Sequence, residues 1–228
     1  MLEDAKRYVE RKIKKIEYIH TKLPEGYEEK QNRYRKMRDE LNVLQSVVKG
    51  LSNYEFGGTI LKHFHHWSNT ISNTVNLKAL KRDDIYTDTA FVGYELSNTV
   101  GDKQLKEVCN DFSKAYECIS EDKRKMNEKM GDIFEELSIL KKKCKQIDHQ
   151  RKTVNNLRYD LEEILQSNIY KEDQKENLEK KLGETSEKTL VEMDEFMHLS
   201  MINGVIKKIA KTHREFCKKA GDHLEKFS

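Results

Sequence analysis

Between Leu105 and Leu165 the apolar positions fall at Leu105, Val108, Phe112, Ala115, Ile119, Met126, Met130, Ile133, Leu137, Leu140, Cys144, Ile147, Val154, Leu157, Leu161 and Leu165, mostly three and four residues apart. That spacing lines one face of an α-helix and fits no strand. No proline interrupts the stretch and Gly131 is its only glycine. The pattern therefore predicts one continuous helix extending roughly 90 Å at about 1.5 Å per residue. Such a helix outreaches an ordinary globular domain and has to bury its stripe against other long helices, in an elongated bundle or coiled coil.

The flanking pattern supplies those helices. Residues 1 to 20 set Leu2, Ala5, Val9, Ile13, Ile16 and Ile19 among Lys6, Arg7, Arg11, Lys12, Lys14 and Lys15, an amphipathic helix with a basic side. Thr21 to Gly26 breaks it, because Pro24 removes a helical donor. The period resumes through Tyr34, Met37, Leu41, Leu44, Val47, Val48 and Leu51. Beyond a bend at Gly57 and Gly58 it continues through Ile60, Leu61, Phe64, Trp67, Ile71, Val75 and Leu77. The Ser, Thr and Asn residues between Asn69 and Asn76 compete for backbone hydrogen bonds and weaken that last stretch.

Capping-type residues Asp83, Asp84, Thr87, Asp88 and Thr89 precede a short helix over Phe91 to Leu96 that ends near Gly101, and Asp102 caps the long helix. After Gln166, Ser167 and Asn168 a third long helix is predicted from about Tyr170 without a break. Its stripe is Leu178, Leu182, Leu190, Met193, Phe196, Met197, Ile202, Val205, Ile209, Phe216, Ala220, Leu224 and Phe227. The architecture expected is all-α: three long antiparallel helices forming a coiled-coil arm over residues 24–228, preceded by an amphipathic helix over residues 1–23.

Composition fits this outline. Charged and hydrophobic residues each make up 36% of the chain, which suits thin apolar stripes with wide solvated faces. A net charge of only +3 gives no global basic character, so no nucleic-acid partner is expected and an anionic partner has to be met by a local patch. Cys109, Cys118, Cys144 and Cys217 lie on helical stripes without CxxC spacing, which predicts buried, reduced thiols and a reducing compartment. There is no signal-length apolar run, no span of about 20 apolar residues and no Asn-x-Ser/Thr acceptor, so the expected location is cytoplasmic, peripheral on membranes.

Two basic clusters stand out. Lys141, Lys142, Lys143, Lys145, Arg151, Lys152 and Arg158 face Asp148 alone, and Lys207, Lys208, Lys211, Arg214, Lys218 and Lys219 are interrupted by Glu215. With basic residues worth about 1 kcal/mol each at an anionic surface, several acting together would bind it; solvated helix backs carry such runs as well. His63, His65 and His66 beside Trp67 invite a metal. Only His63 and His66 share a helical face, however, and no carboxylate stands where a helix would bring it alongside, so packing histidines and no metal are expected. No phosphate loop, GxSxG elbow or HExxH occurs, Glu135 with Glu136 and Glu162 with Glu163 diverge around their helix, and no enzyme activity or cofactor is predicted.

The order of elements and several residues resemble the BAR family of membrane-curving domains. Ala115, Tyr116 and Glu117, then Phe134 and Leu137, look like family positions on its second helix, and the basic run from Leu140 closing on Arg158, Tyr159 and Asp160 is similar to that helix's end. Phe196 to Phe227, with His213 and Phe216, resembles the returning helix. Leu23 to Tyr27 is similar to the fungal BAR-2 subgroup, which includes Golgi-vesicle proteins, and the chain also looks like compact BAR-type proteins of microsporidian parasites, some of them described as spore-wall proteins.

The resemblance implies a crescent-shaped homodimer that senses or generates curvature on anionic phospholipid membranes during trafficking, with Lys141, Lys142, Lys143, Lys145, Arg151, Lys152, Arg158, Lys207, Lys208 and Lys211 on lipid. Phe112, Ala115, Ile119 and Phe216 would lie in the dimer contact. Leu2, Val9, Ile13 and Ile16 would enter the headgroup boundary, or the helix that bears them packs on the bundle. The other functional class open to such a rod is a coiled-coil adaptor or structural protein, for example a spore-wall protein, that binds protein partners.

Overall fold

In the computed structural model, which describes residues 17–56, 84–167 and 172–227, every long regular element is an α-helix. Helix α1 (Tyr27–Leu51) follows a tight turn in which Gly26 takes φ 73°, a left-handed conformation that favours glycine, and Tyr27 N–H donates to the Pro24 carbonyl at 3.1 Å. A single 3-10 turn (Tyr54–Phe56) succeeds it. Helix α2 (Ile85–Thr99) starts earlier than its apolar run, because the Asp84 carboxylate accepts the amides of Tyr86 and Thr87 at 2.9 and 3.1 Å; Thr87 and Thr89 therefore lie inside the helix rather than at its cap. Asp102 caps helix α3 (Lys103–Ser167) through the Leu105 amide at 2.7 Å, and α3 runs for 65 residues, about 97 Å.

The third long helix is two helices, α4 (Glu172–Met197) and α5 (Ser200–Leu224), with a 3-10 turn (Glu225–Phe227) after them. The hydrophobic stripe runs through the break, so the pattern could not reveal it. There the His198 amide is shared between the Asp194 and Glu195 carbonyls at 3.2 Å, Leu199 N–H donates to Phe196 at 3.3 Å, and the His198 ring competes for the Asp194 carbonyl at 2.9 Å. The ladder tightens and stops. Glu17 to His20, expected in the first helix, are not helical.

The chain divides into two compact units, Met1–Glu40 with Leu140–Leu199 and Leu41–Ile139 with Ser200–Ser228. In the first, Tyr27 and Tyr34 of α1 are buried, as are Leu140, Cys144, Ile147, Val154 and Leu161 of α3 and Leu182, Met193 and Phe196 of α4. Tyr34 donates to the Cys144 carbonyl at 2.9 Å and meets Phe196 edge-on at 5.7 Å between ring centres. Its partners on α3 descend in number as α1 advances, Thr21 with Glu162, Gln31 with Arg151 and Arg38 with Asp148, so the two helices run antiparallel.

In the second unit the core holds Leu41 and Val48 of α1, Ala90 of α2, Ala115, Ile119, Met126, Met130, Ile133 and Leu137 of α3, and Ile202, Val205 and Phe216 of α5. Helix α2 lies close against α3 because position 93 is glycine: a Cβ there would come within 2.9 Å of the Phe112 ring and 3.0 Å of the Ser113 nitrogen. Ser113 uses the closeness to donate to the Ala90 carbonyl at 2.8 Å.

Candidate functional site

Charge on the helix surfaces is the chemistry this fold offers, and the structure sorts the basic residues into those that hold the bundle and those that face solvent. Arg151 and Arg158, expected on lipid, belong to the first group. Arg151 is 9% exposed, bonded to Asp148 at 2.7 Å and to Gln31 at 3.1 Å, and stacked on the Tyr34 ring. Arg158 donates to the Thr21 carbonyl at 3.2 Å, reaches Glu28 at 3.4 Å and lies 4.2 Å from the Tyr18 ring centre. Lys208 is likewise engaged, with Glu136 of α3. Of the remaining α3 lysines, Lys142, Lys143, Lys145 and Lys152 are exposed and Lys141 is half-buried.

Helix α5 has a clean division of faces. Val205, Thr212 and Phe216 point into the core, while Lys207, Lys211, Arg214 and Lys218, spaced four, three and four residues apart, share the opposite, exposed face. The edge toward α3 is closed by cross-helix pairs: Lys129 with Glu215 at 2.9 Å, and Lys219 and His223 with Asp122, both at 3.0 Å. Burial pushes the Asp122 carboxyl up, but the bonds from His223 and Lys219 outweigh it and hold the group below the usual carboxylate range.

Helix α4 presents the opposite sign. Asp173, Glu176, Glu184, Glu187 and Glu195 lie on its exposed side around Val191, with Lys180, Lys181 and Lys188 also exposed among them. Its buried side carries Leu182, Ser186, Thr189, Met193 and Phe196.

Two buried polar centres were not foreseen. Lys123 and Glu55, 2% and 1% exposed, pair at 2.7 Å. Asn127 bridges them, accepting from Lys123 at 2.6 Å and donating to Glu55 at 2.6 Å, and Lys123 also donates to the Leu51 carbonyl at 3.1 Å. Beside them a cavity of about 650 Å³ is lined by Glu55, Asp84, Glu117, Ser120 and Lys123 among others. Its groups are bound to one another: the Asp84 carboxylate takes the Thr87 and Ser120 hydroxyls at 2.8 and 3.0 Å.

The second centre is Glu162, fully buried, which accepts the amides of Ile19, His20 and Thr21 and the Thr21 hydroxyl at 2.6 Å. Burial raises its pKa, but these bonds prevail and hold it at about 2. They also explain why residues 17–20 leave the helical pattern: their amides serve a carboxylate instead of a helix.

Of the residues expected at a dimer contact, Ala115, Ile119 and Phe216 are 5%, 2% and 6% exposed inside the chain's own core, and Phe112 is half-buried against Tyr116 and Phe227. Exposed apolar side chains gather instead at Ile85, Val92 and Leu96 of α2 and Leu105 and Val108 of α3. Leu2, Val9, Ile13 and Ile16, and His63, His65, His66 and Trp67, lie outside the described residues. Among the described residues no group of His, Cys, Asp and Glu is arranged to hold a metal, and no helix is long and apolar enough to cross a membrane. The four cysteines are free thiols; only Cys144 is buried as expected, whereas Cys118 and Cys217 are exposed because their positions fall beside the stripe rather than on it.

No protein-family model matches the chain. It is similar over its whole length to a protein named spore wall protein 12 of Enterocytozoon bieneusi, 61% identical with all of both chains covered. It also resembles proteins of the same name from Encephalitozoon cuniculi, 32% identical over 98% of this chain and 97% of that one, and from Nosema bombycis, 29% identical over 99% of each.

Proposed function

Because the chain belongs to the spore wall protein 12 family, we propose that it is a non-enzymatic structural protein of a spore wall, acting through the exposed faces of its helices. The observation that carries this reading is 61% identity across the full length of both aligned chains. The fold is consistent with it: long helices with thin seams offer extended surfaces to partners. Immunogold electron microscopy of spores from the source organism is the test. Label over the wall is expected; label confined to the cell interior overturns the assignment.

A second reading, the BAR-type membrane-binding homodimer, is favoured by the exposed lysines Lys142, Lys143 and Lys145 on one short stretch of α3 and by the apolar surface at Val92, Leu96, Leu105 and Val108, where a second copy can pair. On this reading the dimer is crescent-shaped and the protein acts on anionic membranes by shape and charge. Co-sedimentation with phosphatidylserine vesicles is the measurement. Pelleting that is lost in Lys142→Glu/Lys143→Glu/Lys145→Glu supports it, and pelleting no greater than with neutral vesicles sinks it.

A further inference from the structure

The outward faces of α4 and α5 carry opposite charge over matching lengths. On α4, Glu184, Glu187 and Glu195 are exposed around Val191, itself 55% exposed, with one cation, Lys188, among them; on α5, Lys207, Lys211, Arg214 and Lys218 are exposed beside Ile206, 52% exposed, and Ala210. Glu184 to Glu195 and Lys207 to Lys218 each span about eleven residues, roughly 16 Å of helix. Laid antiparallel, Glu195 meets Lys207 and Glu184 meets Lys218, with Val191 over the stem of Lys211 and Ala210; Arg214 falls at Lys188, next to Glu187, so that pairing is made by Glu187 reaching across one position. Lys211 is held only loosely within its own helix, 3.9 Å from Glu215 with its side chain 78% exposed. The lysines that do pair across helices, Lys208 and Lys219, lie outside this face, so the outward row is not the residue of an internal network.

We infer that the α5 face of one copy docks on the α4 face of a second copy of this chain. The occupant is argued from complementarity: the acidic row, the basic row, their spans and their exposed apolar centres fit each other. Both faces are exposed. The contact is heterologous, since the patch used on one copy differs from the patch used on the next, and such contacts build rings or open chains rather than closed pairs. Individual exposed ion pairs contribute little, so affinity comes from several acting on one face and weakens as salt screens them. This inference concerns self-association and does not depend on where the protein resides.

Sedimentation velocity of the full chain and four charge variants tests it. The wild-type chain is expected to grow beyond its smallest species with concentration at about 0.05 M salt and to lose at least tenfold in association constant by about 0.5 M. Lys207→Glu/Lys211→Glu/Arg214→Glu/Lys218→Glu, which makes both faces acidic, and Glu184→Lys/Glu187→Lys/Glu195→Lys, which makes both basic, are each expected to stay at the smallest species. Carrying both sets in one chain restores growth. All seven positions are exposed, and unchanged helical circular dichroism verifies folding. Lys142→Glu/Lys143→Glu/Lys145→Glu, equal in kind but elsewhere, should associate like wild type. Growth in either single-face variant, failure of the combined variant to recover, or a wild-type chain that never grows and binds anionic vesicles through α5 instead overturns the inference.

Discussion

Lys123 occupies the helical position between Ile119 and Met126 where the stripe of α3 lacks an apolar residue, and Arg151 fills the same kind of gap between Ile147 and Val154. Both are anchors. Burying Lys123 with Glu55 costs several kcal/mol of desolvation per ion, offset by their 2.7 Å contact and by Asn127 and the Leu51 carbonyl. Lys123→Met should therefore cost about 3–5 kcal/mol by stranding Glu55, and adding Glu55→Leu should recover most of it. Urea denaturation of the four-member cycle measures this, and simple additivity would contradict it. Glu162 makes a pH prediction. Its folded pKa of about 2 lies below the ordinary 4.5, so its contribution is present above pH 4.5 and is lost as pH falls toward 2, by about 3 kcal/mol in total. Glu162→Gln should lower stability at neutral pH and flatten the acid limb of a melting-temperature profile; an unchanged limb would refute the assignment. Lys123 and Arg151 each stand at a gap in the apolar period, a signal that goes unread where Arg151 is expected on lipid. Glu162 was not legible, because its partners are backbone amides of residues 19–21, which no spacing connects to it.

Helices α1 and α3 were readable almost to their ends, since the apolar period, the Pro24 turn and the Asp102 cap agree with one another. The α4–α5 break was not, because it rests on carbonyl competition at His198 rather than on proline or glycine. Glycines show how far an element's context outweighs its type. Gly131, where a bend in α3 could be sought, lies in unbroken exposed helix with no atom within 4 Å of an added Cβ. Gly131→Ala should stabilise by up to about 1 kcal/mol. Gly93→Ala, which meets the backbone of α3 at 3.0 Å, should instead destabilise by about 1–3 kcal/mol. Thermal melts of the two variants should move in opposite directions; a shared direction would mean that α2 is not held as closely as the contact implies.

The two units are held by different means. Residues 17–40 are tied to α3 by buried bonds at Glu162, Tyr34 and Arg151, whereas α5 is tied to α3 largely at its edge by Lys129–Glu215, Lys208–Glu136 and Asp122 with Lys219 and His223. Exposed pairs are screened by salt and buried ones much less so. Hydrogen exchange in about 1 M salt should speed a few-fold in residues 200–224 and stay unchanged in residues 27–40; uniform change would remove the distinction. That the regular elements of the described residues are helical was legible from period and composition. The chain's division into two units was not, because the stripe of α3 passes Ile139 and Leu140 without a sign.

The chain crosses between its units three times: within α1 after Glu40, within α3 after Ile139, and at Leu199 to Ser200. The first two crossings are helical; the last is not, and proteases cut unwound backbone. A single nick there would leave α5 seated by Val205 and Phe216 as a guest without a covalent bond to its host. A free peptide of residues 200–228 could then replace it.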